Sequence, residues 1–167
     1  MAHPLVLAVF GDSTSAATAA RAARNLGVNR EHLSIVARTH DAEGQVAQDA
    51  GSPGAEIEDS RTAGFLGELS ALLLAAVAMV LPGIGPIVAA GPLAAGLGEA
   101  AGHAAGNLPA VLTRAGIPHE RAERWRQEIE RGSILLGAHA VGAEADDLER
   151  IMRANGANEV ARASWED

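Results

Sequence analysis

The chain has no cysteine, no lysine and no tyrosine, and only two phenylalanines and two tryptophans among 167 residues. Without cysteine there is no disulfide, no thiolate nucleophile and no sulfur ligand for a metal, and the redox compartment is left open. So few aromatic rings offer almost no platforms for stacked bases, and the core must be aliphatic and alanine-rich. Every basic residue is arginine, which beside abundant alanine reads as coding bias rather than mechanism. The formal charge of −8 argues against a nucleic-acid partner, because phosphate binding needs a basic face. Met1-Ala2-His3-Pro4 has no basic region or cleavage site before the first apolar run, so no signal peptide is expected and a cytoplasmic location is favoured.

Charge is also missing from one long stretch, Leu69 to Gly98, broken near its middle by Pro82-Gly83-Ile84-Gly85-Pro86. Small residues recur there every fourth position: Gly67, Ala71 and Ala75 before the break, then Ala90, Ala94, Gly98, Gly102 and Gly106 after it. Residues four apart share a helix face, so each ladder is a smooth groove that lets another helix approach closely. The pattern predicts an apolar helical hairpin with helices over about 60–81 and 92–106, serving as a self-association seam. Glu68 and Glu99 bracket it.

Around that stretch the punctuation is regular. Leu5–Phe10 is apolar throughout, as in a strand buried on both faces. Asp12, Ser13 and Ser15 offer N-caps to an alanine-rich helix ending at Gly27. Leu33–Thr39 reads as a second, more polar strand, and 40–59 as a loop. Pro109 starts a short helix stopped by Gly116, and Pro118 starts another closed by Gly132. Ser133–Val141 is a third strand apolar on both sides, Glu144–Asn155 a helix, and Asn158–Ala163 a last strand. The order β-α-β, insertion, β-α-β predicts one α+β domain over 1–167. Its fold would be ferredoxin-like, a split βαβ with a four-stranded antiparallel sheet ordered 4-1-3-2. Its parts are a first half at 4–40, a loop at 41–59, a glycine-zipper hairpin insertion at 60–116, and a helix plus second half at 117–163.

The segment Pro82-Gly83-Ile84-Gly85-Pro86-Ile87-Val88-Ala89-Ala90-Gly91-Pro92-Leu93-Ala94-Ala95 and the later Gly116-Ile117-Pro118 with Glu120 and Ala122 carry a resemblance. They are similar to the two signatures of a bacterial general stress protein family, heat- or low-temperature-induced proteins of unknown function. That family usually has tyrosine where this chain has Trp125. The resemblance implies a ferredoxin-like domain with a glycine-zipper insertion and a link to stress responses. It brings no catalytic residue.

The residues themselves point to no reaction. Gly11-Asp12-Ser13-Thr14-Ser15 matches the opening of one esterase class, but no Asp-x-x-His follows, and a helix cap explains it. Six histidines are scattered. His119 and Glu123 have ligand spacing but stand among arginines at a solvated helix start. His103, in the second zipper helix, reads as a rim residue or a pH-sensitive position. His139, on a central strand, reads as a satisfied histidine or a ligand position. Neither a Walker loop nor a dinucleotide fingerprint occurs. No catalytic residue, cofactor or metal is expected. The expected function is that of a non-enzymatic, stress-associated structural protein whose partner is a second copy of itself. A peripheral membrane role is the alternative, although Leu69–Leu81 makes about 20 Å of helix against a hydrocarbon core of ~30 Å. A small-ligand binder or enzyme at an oligomer interface is the third.

Overall fold

Every side chain from Leu5 to Phe10 is buried, as a strand covered on both faces requires. The structure, a computed structural model, describes residues 2–38, 76–81, 84–101 and 107–166. In chain order the elements are β1 (Ala2–Phe10), α1 (Ser13–Asn25), β2 (Leu33–Arg38), β3 (Val77–Leu81), β4 (Gly85–Ala90), α2 (Pro92–Ala101), α3 (Leu108–Arg114), α4 (His119–Glu130), β5 (Ile134–His139), α5 (Ala145–Ala154) and β6 (Glu159–Glu166). Asp12 caps α1 by accepting from the Ser15 amide at 2.7 Å, and Asn107 caps α3 by accepting from the Ala110 amide at 2.9 Å. The serine motif at 11–15 is thus a helix start.

The sheet overturns the expected four-stranded ferredoxin-like fold. Among the described residues it has six strands, all antiparallel, in the order β3-β4-β2-β5-β1-β6. Of the two strands expected at the edges, only β6 is one; β2 lies inside, paired with β4 through Ile35↔Ala90 and Arg38↔Ile87. Where a helix over 60–81 is expected, residues 77–81 form a strand antiparallel to β4, with Leu81 opposite Gly85. The Ile84 amide donates to the Leu81 carbonyl at 3.2 Å.

The physical reason lies in which period the residues satisfy. Met79 and Leu81 face one side of the sheet while Ala78 and Val80 are exposed on the other, a period of two that small apolar residues permit as readily as a period of four. Valine and isoleucine favour strands. The helix expected over 92–106 is present as Pro92–Ala101. Predicted features at 39–75 and 102–106, including Gly67, Ala71, Ala75, Gly102, His103 and Gly106, lie outside the described residues.

Helices cover both faces. On one, α2, α3 and α4 bury Leu93, Leu97, Val111, Leu112, Trp125 and Ile129 against Leu5, Leu7, Val36 and Leu135. On the other, the alanines of α1 together with Leu148 and Met152 of α5 cover Val6, Ala8, Ile35 and Leu136. The sheet face that a four-stranded fold would expose is thus covered by α2 and α3 of the insertion together with α4.

The β6 edge is closed by charge and by backbone. Glu159 receives Arg124 at 3.0 Å and the Trp125 indole at 2.9 Å, while Arg162 bonds Glu149 and Asp146 of α5. The Ser164 amide donates outward to the Ala115 carbonyl at 2.8 Å. Hydrogen bonding from Arg124, and then from Trp125, holds the Glu159 carboxyl below its ordinary value of 4.5 against the opposing effect of burial. A depressed carboxylate stabilises the fold at pH above 4.5, and that contribution is lost as pH falls through the lowered folded value. Glu159→Gln should therefore flatten the acid limb of a stability–pH curve measured by urea unfolding. An unchanged limb would place the acid sensitivity elsewhere.

Candidate functional site

Two features stand out beyond the core: a buried polar chain that crosses the sheet, and the uncharged hairpin at its edge. Antiparallel pairing sets His3 opposite Trp165 and Leu5 opposite His139, so these side chains share the face covered by α2. His3 Nε2 lies 2.7 Å from His139 Nδ1, and His139 Nε2 lies 3.3 Å from Ser34 Oγ. Ser34 Oγ in turn accepts the Leu93 amide, in the first turn of α2, at 3.1 Å. Trp165 meets the His139 ring edge-on, with centroids 5.6 Å apart.

His139 and Ser34 are both fully buried, so each polar atom needs its partner. The Leu93 donation polarises the Ser34 oxygen and makes its own proton the better donor. The chain then runs from Leu93 N–H to Ser34, from the Ser34 hydroxyl to His139 Nε2, and from His139 Nδ1–H to His3. This order is assigned from the network. Gly137, opposite Ser34, leaves room for it: a Cβ there would lie 3.2–3.4 Å from Leu7, Ser34 and Leu5 side-chain atoms.

The chain ties α2 to the sheet and offers no accessible nucleophile. His139, singled out in the sequence, is a satisfied core histidine. His3, Ser34 and Trp165 were not legible as its partners. Alternation carried back from Leu5 through Pro4 would have set His3 on the same face, had the strand not been read as starting at Leu5.

The proposed seam is divided between elements. Ala90 is in β4 and packs with the α1 and α5 core, Ala94 is half-buried on the opposite face, and Gly98 is exposed on α2. Ala90 and Ala94 therefore do not form one helix face. His119 is exposed, Glu123 pairs with Arg126 at 2.6 Å, and no group of three or more metal-ligating side chains occurs among the described residues. No described helix is long and apolar enough to cross a membrane.

The β3–β4 hairpin differs from the rest of the surface. None of its residues is charged, and Val80, at 72% exposure, is the most exposed large apolar side chain described. Exposed Ala78 pairs with half-buried Val88, and exposed Val80 with exposed Pro86. Beyond β3 no further strand occurs among the described residues.

No family model, curated protein or solved structure matches this chain. What the fold defines is a class: an α+β protein whose described residues form one six-stranded antiparallel sheet.

Proposed function

We propose that this chain is a non-enzymatic cytoplasmic protein that self-associates through its uncharged β3–β4 hairpin. The carrying observation is the β3 edge, five uncharged residues with Val80 in solvent. A sheet edge presents unpaired amide and carbonyl groups, and edges that stay single usually carry charge, proline or a cover. β6 has such protection and β3 has none among the described residues. Two copies meeting at β3 pair backbone to backbone where neither brings charge, although each has a formal net charge of −8. A role in stress responses rests on the resemblance carried by residues 82–95 and 116–122.

Light scattering behind size exclusion should return twice 17.0 kDa or a higher multiple at tens of micromolar protein without detergent. Val80→Lys should shift the chain to monomer with its stability changed by no more than about 0.5 kcal/mol, since the site is exposed. An unmodified chain that runs as a 17.0 kDa monomer overturns the proposal.

A further inference from the structure

A cavity of about 320 Å³ opens between α2, α3 and the end of β6, on the face that carries the polar chain but separate from the hairpin. Its floor is Gly96, Val111 and Ala115, all buried, and half-buried Trp165 forms a wall. Gly96 is needed for this shape, because a Cβ there would lie 2.8 Å from Trp165 Cη2. The Ser164 amide bonded to the Ala115 carbonyl holds β6 against the end of α3, so the walls are fixed to one another.

Charge of both signs lines the rim: Arg114 from α3, Glu166 from β6 and Glu99 from α2. Elsewhere among the described residues the arginines have partners. Arg121, Arg124, Arg126, Arg131, Arg150, Arg153 and Arg162 all reach carboxylates, and Arg38 reaches a carbonyl. Among the described residues Arg114 is the exception, with no side-chain hydrogen bond or ion pair, and Glu166 also has none. An unpaired guanidinium and an unpaired carboxylate therefore share one cavity with an indole wall.

We propose that this cavity binds a small zwitterion with an apolar body, the chemistry of a free α-amino acid. Arg114 takes the carboxylate in its planar fork, Glu166 takes the ammonium group, and Trp165 with Val111 takes the side chain. The volume suits a ligand of this size, at the low end of small-molecule sites. The ligand would bind weakly, with Kd between about 10 μM and 1 mM, as few atoms make contact.

The test uses the full chain and three probes titrated by calorimetry: L-phenylalanine, phenethylamine, which lacks the carboxylate, and 3-phenylpropionate, which lacks the amine. L-phenylalanine should bind at least tenfold tighter than either. Arg114→Gln should weaken L-phenylalanine about tenfold and leave phenethylamine unchanged; Glu166→Gln should weaken L-phenylalanine and leave 3-phenylpropionate unchanged. Both side chains are exposed, so the variants keep the fold, which circular dichroism verifies. Absence of saturation by 20 mM L-phenylalanine overturns the proposal, as do equal affinities for all three probes. A loss on Arg114→Gln that is the same for every probe overturns it too.

Discussion

Trp125→Ala is expected to cost about 3–5 kcal/mol, a large share of the stability of a domain this size. Trp125 is the largest fully buried side chain, and it sits in the core that α2, α3 and α4 form against the sheet. Its loss removes 150–250 Å² of buried ring surface, on the order of an aromatic side chain, and opens a cavity among residues that cannot all close over it. It also removes the indole hydrogen bond to Glu159, which α4 uses to hold the β6 edge. Trp125→Phe separates the two losses: most of the volume stays, and the cost should fall to about 1–2 kcal/mol. Urea unfolding followed by far-UV circular dichroism measures both. A cost below about 1 kcal/mol for the alanine variant would show that this core is not organised around the indole.

Gly91→Ala should be comparably severe for a different reason. Gly91 joins β4 to α2 with φ at +77°, a conformation that L side chains rarely adopt. A Cβ there would lie 2.0 Å from the Leu33 carbonyl oxygen and 2.8 Å from Ser34 Cα. Both belong to the backbone of β2, which is locked on each side by β4 and β5. No side chain can swing aside, so either α2 or the β2–β4 register must give way. The expected cost is about 3 kcal/mol or more, from positive-φ strain together with overpacking. Gly85 is the control: its φ is +95° but nothing lies within 4 Å of its added Cβ. Gly85→Ala should show the conformational strain alone, about 1–2 kcal/mol. Equal costs at the two positions would mean that the contact with β2 contributes nothing.

The contrast between these sites shows where local reading succeeds. The caps and stops around α1, α4 and α5, and the strands β1, β2 and β5, follow from residues a few positions apart. Asp12 bonds Ser15, and Gly27, Gly132 and Gly156 take positive φ just past helix ends. The segment 77–90 is opposite in kind. Its valines, alanines and isoleucine fit a strand or a buried helix equally well in isolation, and pairing with β2 decides between them. The candidate sites follow the same division. His139 drew notice as a lone histidine in an apolar strand. Its partners His3 and Ser34 and the ring beside it, Trp165, come from three other strands, and only strand order makes them neighbours.

Taken alone, the amino-acid order determined an aliphatic core without cysteine chemistry, a net acidic charge, and a long uncharged middle that water disfavours. Those properties depend on residue type and short spacing, which survive without a fold. The tertiary structure decided that part of this middle lengthens the sheet, that Ser34 and two histidines form one chain of hydrogen bonds, and that Arg114 and Glu166 border a common hollow. Each depends on contacts between residues far apart in the chain, whose energies exist only once the register of the sheet is set.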